Sequence, residues 1–197
     1  MVERQLRRRG IADERVLAAM AEVPRELFLP RERRRDAYRD GAVAIGEGQT
    51  MSQPWIVACM AQLLELDGGE RVLEVGTGSG YGAAVLSRLC REVVTIERHE
   101  SLAVRAEQVL HELGYDNVVI GVGDGTRGAP EHAPFGGISV TATAPDQPPA
   151  ALFEQLRPGA ALVCPVSRGG HELLMRFRGG QEEAVTGVRF VPLVTDE

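Results

Sequence analysis

Residues Arg71-Val72-Leu73-Glu74-Val75-Gly76-Thr77-Gly78-Ser79-Gly80-Tyr81-Gly82 set an apolar strand, an acid and a glycine-dense turn in immediate succession, ahead of a helix. Such a turn lets backbone approach a ligand. Glycine reaches positive φ without a Cβ penalty, and the free N–H groups at the start of the next helix present a partly positive surface. The stretch predicts a nucleotide-like cofactor at a strand-to-helix junction.

The glycines alone do not say which cofactor. Gly78-Ser79-Gly80-Tyr81-Gly82-Ala83 also fits the G-x-G-x-x-G/A dinucleotide pattern, whose helix start faces a pyrophosphate. Glu74 weighs against that reading. A carboxylate at the strand end attracts a cofactor carrying an ammonium and a sulfonium and repels a pyrophosphate. S-adenosylmethionine is therefore favoured over a dinucleotide, with a plain strand-to-helix turn as the remaining reading.

Working outward, strands at 71–75, 93–97, 117–122, 137–142 and 160–166 alternate with helices near 80–90, 100–113 and 149–156. That alternation implies a parallel sheet with right-handed crossovers. Strand-like segments at 171–178 and 184–191, separated by Gly179-Gly180, predict an antiparallel hairpin closing one sheet edge. Toward the N-terminus, Asp13 can cap a helix bearing Val16, Leu17 and Met20 at helical spacing, ending near Pro24. An arginine-rich helical stretch over 31–38, a glycine-punctuated loop over 41–51 and an apolar helix over 55–64, opened by Ser52-Gln53-Pro54, follow. The expected fold is α/β: a doubly wound, mostly parallel, Rossmann-like sheet with an antiparallel C-terminal hairpin and an N-terminal helical extension. Residues 1–50 form that extension and 51–197 the cofactor-binding core of one overall domain.

Two more acids fall at strand ends. Glu97 closes the second strand, where a carboxylate can accept hydrogen bonds from both hydroxyls of a ribose. Asp124, in Val122-Gly123-Asp124-Gly125 after the third strand, stands where an adenine amino group could be met, although Asp-Gly is also an ordinary turn pair. Acids at the carboxyl ends of three successive strands mark the crevice in which open α/β sheets bind ligands.

Composition narrows the class. Hydrophobic residues make up 44% and charged residues 25% of the 197, enough for one well-cored domain. All 22 basic residues are arginine; residues 1–40 hold 11 of them against eight acids, and the rest holds 11 against 20. Arg7-Arg8-Arg9 and Arg31 to Arg35 read as solvated helix faces rather than a nucleic-acid surface, because interspersed acids and a net charge of −6 weaken any field that tracks phosphates. Cys59, Cys90 and Cys164 are odd in number and lie in apolar segments, which predicts buried reduced thiols. The four histidines show no metal-ligand spacing, so no metal is expected. With no signal-peptide pattern and no apolar run near ~18 residues, a cytoplasmic, soluble protein without membrane partners is expected.

Over nearly its whole length the chain resembles the protein-L-isoaspartate O-methyltransferase family. The matching stretches include Asp13 to Leu17, Val23-Pro24-Arg25-Glu26-Leu27-Phe28, Ile45 to Pro54, Leu73 to Tyr81, Val122 to Gly125, Ala133-Pro134-Phe135, Gln155 to Gly159 and Arg189-Phe190-Val191-Pro192-Leu193. The glycine motif is common to many methyltransferases. Gln49-Thr50-Met51-Ser52-Gln53-Pro54 and the Arg189 to Leu193 tail are far more specific.

The resemblance implies a class I S-adenosylmethionine-dependent fold that methylates the free α-carboxyl of L-isoaspartyl residues in damaged proteins and so starts their repair. Carried over by position, Ser52 resembles the family's active-site serine. Glu74, Gly76, Thr77, Gly78, Ser79, Gly80, Glu97, Arg98, Asp124 and Gly125 match its cofactor contacts. Thr141, Ala142, Val191, Pro192 and Leu193, with Ser52, match the parts that hold the peptide. Isoaspartyl proteins and peptides are the implied partners, and a monomer is expected. Ser52 taken alone also reads as a helix cap.

Departures are as visible. Phe135-Gly136-Gly137-Ile138 stands where the family usually reads Phe-Asp-x-Ile, so an acid is lost and two poor strand formers enter a central strand. Ala44 replaces a common proline, and His171 stands where glutamine is frequent. Rival readings are a methyltransferase for aspartyl side chains of a dedicated peptide, a catalytically weakened cofactor-binding relative, and a dinucleotide oxidoreductase for which no hydride-transfer partner is apparent.

Overall fold

Parallel strands carry the centre of the sheet. In the computed structural model, which describes residues 1–195, β3 (Arg71–Val75), β4 (Glu92–Glu97), β5 (Val118–Val122), β6 (Phe135–Val140) and β8 (Leu156–Arg168) follow the helix-alternating pattern of the sequence. The runs of β3, β4 and β6 are buried on both faces, as parallel strands covered by helices require, whereas edge strand β5 is half exposed. Helices α3 (Tyr81–Ser87), α4 (Glu100–Glu112) and α5 (Ala150–Glu154) make connections between them. Antiparallel β9 (His171–Arg178) and β10 (Gln181–Gly187) complete the order β10-β9-β8-β6-β3-β4-β5.

That order locates the ligand crevice. From β3 the chain steps outward through β4 to β5, then returns to lay β6 on the other side of β3. The C-terminal ends of β3 and β6 are thus a topological switch point, where crossovers diverge and leave a gap. Glu74 pairs in register with Thr95 of β4 and Ser139 of β6, so these three side chains share one face at the sheet's centre.

The N-terminal residues build onto this sheet through a common core. Asp13 Oδ1 accepts hydrogen bonds from the N–H groups of Arg15 and Val16 at the start of α1 (Glu14–Glu22). Val16, Leu17 and Met20 are buried with Ala58 of α2 (Pro54–Leu63) and Tyr81 of α3 in one cluster. The Val16, Leu17 and Met20 side chains contribute ~1.5–3 kcal/mol each when fully buried. The Phe28 ring meets Tyr81 edge-on at 5.7 Å. Among the described residues, no helix is long and apolar enough to cross a membrane.

Several expectations need correction. The loop over 41–51 is a hairpin of β1 (Val43–Gly46) and β2 (Gln49–Met51). Its two-residue turn, Glu47-Gly48, has positive φ at both positions, which matches the strand twist; glycine density had masked the strands. The second hairpin strand ends at Gly187, and the following chain instead runs beside Thr143, pairing there at Pro192. A two-residue strand, β7 (Ala144–Pro145), which no pattern announced, adds to β8.

The glycine pair in β6 has a packing cause. A Cβ on residue 136 would overlap Cβ and Cγ of Glu70, and one on residue 137 would press on Leu64 and Leu66. Glu70 is itself buried, accepting from the N–H groups of Asp67 and Gly68 at 2.8 and 2.9 Å. Its side chain fills the space that a residue larger than glycine at 136 would need.

Candidate active site

A cleft of about 1070 Å³ opens at the switch point, bounded by the ends of β3 and β6, the start of α2 and the chain after β10. It brings together Ser52, Glu74, Gly76, Thr77, Gly78, Ser79, Glu97, Arg98, Gly125, Thr141, Ala142, Val191, Pro192 and Leu193. Gly80 and Asp124 are outside this lining. A Cβ on Gly80 would face Ala106 and Leu110 of α4. Asp124 Oδ1 accepts from the N–H and hydroxyl of Thr126, capping the turn over Gly125–Arg127.

Strand β3 delivers Glu74 into the sheet's interior, where only 2% of the residue is exposed. Thr95 Oγ1 donates to Glu74 Oε2 at 2.7 Å, and Thr77 Oγ1 lies 2.7 Å from Thr95 Oγ1. A threonine hydroxyl has one proton, so with Thr95 donating to Glu74 the link must run from Thr77 to Thr95 to Glu74. A Cβ at residue 82 would overlap Glu74 Oε1, so Gly82 is what lets α3 start against this acid. Burial raises the Glu74 carboxyl to about 8, Thr95 opposes the shift and the nearby Glu97 charge adds to it. Thr95 had a faint signal in the sequence as the one hydroxyl within the apolar run Val93 to Ile96.

Glu97 is no surface acid. It is 5% exposed and spans the mouth of the glycine turn. Oε2 accepts from Gly78 N at 2.8 Å and Oε1 from His99 N at 3.0 Å. Each oxygen keeps a lone pair for a further donor, so a ribose diol can still be met there. Gly76 carries φ +96°, and a Cβ there would overlap the Thr141 hydroxyl. That hydroxyl shares its one proton between the carbonyls of Val75 and Gly76, at 3.0 and 2.9 Å, joining the glycine turn to the end of β6.

The opposite wall is made by long-range contacts. Helix α2 takes Gln53 as its N-cap residue without a side-chain cap, and Ser52 stands one residue earlier, lining the cleft. Residues 188–193 cross the rim as a strap. Thr143 N donates to the Val191 carbonyl and Leu193 N to the Thr143 carbonyl, both at 2.8 Å. Glu172 adds two anchors, its Oε2 accepting from Phe190 N at 3.0 Å and from the Thr143 hydroxyl at 3.1 Å. Nothing in the local sequence marked Glu172. Among the described residues, no group of three or more His, Cys, Asp or Glu could hold a metal ion.

A cleft at the switch point, with acids on neighbouring strand ends around a glycine turn, defines a class I S-adenosylmethionine-dependent methyltransferase. The family model described as protein-L-isoaspartate(D-aspartate) O-methyltransferase matches residues 1–197, and the chain belongs to that family. A protein-L-isoaspartate O-methyltransferase of Roseiflexus castenholzii is 51% identical over 191 residues, covering 95% of this chain and 87% of its own. The enzyme of the same name from Pelotomaculum thermopropionicum is 52% identical over 202 residues, covering 100% and 88%. A solved protein-L-isoaspartate O-methyltransferase superposes with TM-score 0.85 at 30% identity, over 98% of this chain and 65% of that one. A Plasmodium falciparum structure, described as a putative enzyme of this kind in complex with S-adenosyl-L-homocysteine, shares the fold at TM-score 0.84 and 24% identity, over 99% and 97%. The resemblance read from Gln49 to Pro54 and from Arg189 to Leu193 is thus confirmed.

Proposed function

We propose that the chain methylates the free α-carboxyl of L-isoaspartyl residues in proteins, with Ser52 holding the acceptor and the β3 and β4 ends holding S-adenosylmethionine. The observation that carries this reading is that Ser52, Glu74 and the Val191-Pro192-Leu193 strap, distant in sequence, face one cleft. Family membership supports it.

The residues present fit the cofactor. Glu74 is a buried acid suited to a cationic group, Glu97 has lone pairs for a ribose, and Gly76, Thr77, Gly78 and Ser79 bring backbone to the cleft. Arg98 and Gly125 line it further, while Gly80 and Asp124 hold the loops on which these contacts stand. When bound, S-adenosylmethionine supplies a methyl group activated by a positively charged sulfur.

The chain's own work is alignment. An α-carboxyl with pKa of ~3.5 is already ionised at neutral pH, so no side chain has to remove a proton. The Ser52 hydroxyl donates a hydrogen bond to that carboxylate and fixes its direction. As a neutral donor it leaves more of the nucleophile's charge available than an arginine would. Thr141, Ala142 and the strap hold the peptide and keep water from the reacting atoms. A backbone amide nitrogen of the peptide then attacks the ester carbonyl without the protein, expelling methanol and closing a succinimide, and addition of water to that ring returns some normal aspartate.

Residues 1–50 act as an extension packed on a cofactor-binding core over 51–197, as the shared apolar cluster favours. The substrates are isoaspartyl-containing proteins and peptides rather than nucleic acid, met by a monomer in the cytoplasm. Three buried free thiols and the net charge of −6 favour that setting. Methyl incorporation into paired isoaspartyl and aspartyl peptides tests the proposal. Labelling of the isoaspartyl peptide alone is expected, and equal labelling of both, or of neither by folded protein, would overturn it.

A further inference from the structure

Arg25 is fully buried, yet no carboxylate among the described residues forms an ion pair with it. Its Nε donates to the Ala37 carbonyl and its Nη2 to the Ser52 carbonyl, each at 2.6 Å. The guanidinium carbon stands 4.7 Å from the centroid of the Tyr81 ring, and Nη1 has no hydrogen-bond partner. Desolvation lowers its pKa, as expected for a cation taken out of water without an anion.

An isolated buried cation is a poor way to gain stability, since an apolar side chain of similar volume often does as well or better. What a guanidinium offers instead is geometry. Nε and Nη2 lie on one edge of a rigid plane, so two parallel bonds hold two carbonyls in a fixed relation while the flat face stacks on an aromatic ring. Here the fixed points are informative. The Ser52 carbonyl belongs to the peptide unit from which the acceptor-holding hydroxyl hangs, and Tyr81 is the first residue of α3, directly behind the glycine turn.

Neighbouring bonds support the same turn from the N-terminal residues. Gln53 Nε2 donates to Asp40 Oδ1 at 2.6 Å, and Trp55 Nε1 donates to the Arg9 carbonyl at 3.1 Å. Both of these are exposed, whereas the Arg25 side chain is buried and its bond to the Ser52 carbonyl is partly so.

We propose that Arg25 is a positioning residue for methyl transfer: one buried guanidinium sets Ser52 at a fixed place relative to the Tyr81 end of the cofactor loop. This rests on the reading of Ser52 given above. If the hydroxyl aligns the acceptor carboxylate, a displacement of about 1 Å at Ser52 costs up to ~100-fold in turnover. Cofactor affinity need not change, because Arg25 bonds to none of the residues assigned to the cofactor and meets only the Tyr81 ring behind the glycine turn.

The test places Arg25→Lys and Arg25→Met in the wild-type and Ser52→Ala backgrounds. Measurements are kcat and KM with an isoaspartyl peptide, S-adenosylhomocysteine affinity by calorimetry, and folding by circular dichroism. In the wild-type background kcat should fall about tenfold or more at saturating cofactor and peptide, with S-adenosylhomocysteine affinity within about twofold. In the Ser52→Ala background the same changes should cost less than about twofold, since there is no hydroxyl left to aim. Lys keeps the charge and much of the length but cannot make both bonds in one plane, so it carries the test if Met prevents folding. Equal losses in both backgrounds, wild-type kcat in both Arg25 variants, or failure of both to fold would overturn the proposal and leave Arg25 a structural residue. Wild-type kcat in Ser52→Ala alone would mark the Ser52 reading as the one at fault, and would remove this proposal with it.

Discussion

The hydroxyl of Thr95 donates to the carboxyl of Glu74 at 2.7 Å, across a register that sets the two residues side by side on β4 and β3. This one neutral donor faces an acid that is buried and held at about 8, so at neutral pH the carboxyl of the ligand-free protein is mostly protonated. A cationic ligand favours the ionised form. Binding of S-adenosylmethionine should therefore release a proton below about pH 8, and affinity should rise by up to about tenfold per pH unit until that point. Calorimetry in buffers of different ionisation enthalpy measures the proton. Absence of release near neutral pH would remove Glu74 from the cofactor's charged end.

The same acid links stability to pH. Because its folded pKa, about 8, is raised above the ordinary 4.5, its contribution is fully present below 4.5 and is lost as pH rises through about 8. The melting temperature of the ligand-free protein should fall over that window, and Glu74→Gln should flatten the fall. Parallel profiles for the two proteins would contradict the burial argument.

Ser52→Ala should lower turnover by about ten- to a thousandfold, the range expected for loss of one positioning hydrogen bond. S-adenosylhomocysteine affinity should hardly change. Since Ser52 stands before the helix cap, a stability loss typical of a missing cap is not expected. Full activity in the variant would leave the serine without a catalytic part.

For Glu97→Ala the expected loss in S-adenosylhomocysteine affinity is roughly 2–4 kcal/mol, because ribose contacts and the latch on Gly78 and His99 go together. Glu97→Gln should cost less, although its amide can accept from only one of the two N–H groups through its oxygen. Much of the turnover should return at saturating cofactor, because these contacts serve ground state and transition state alike. Wild-type affinity in the alanine variant would sink the assignment.

Gly136→Ala should destabilise the fold by ~1–3 kcal/mol, the usual cost of forcing a methyl into a packed site. The overlap is with Cβ and Cγ of Glu70, so the penalty should shrink in a Glu70→Gly background. Denaturant unfolding of the four proteins in the cycle reads the coupling. An additive result would mean that the crowding is relieved elsewhere.

Much was legible in the chain because its signals are local. Alternation of apolar strands with helices, the glycine turn after Glu74, the Asp13 cap and the acid ending β4 are each set by a few consecutive residues obeying backbone sterics and burial periodicity. These determined the parallel sheet and the cofactor crevice, while the Gln49 to Pro54 and Arg189 to Leu193 segments carried the resemblance to the family. Tertiary structure decided what local signals could not carry. Glu97 is occupied by Gly78 and His99, which depends on how two strand ends meet. Residues 188–191 continue as strand in the sequence pattern, but Thr143 and Glu172 draw the strap over 188–193 off the sheet and onto the rim. Gly136 looks like a defect until Glu70 is seen to fill its place. Ser52 reads as a helix cap on its own and as the active-site serine by resemblance, but no local signal shows the buried arginine, 27 positions earlier, that holds its carbonyl. In each case the deciding contact joins residues far apart in the chain, and its energy depends on a distance that no run of neighbouring residues encodes.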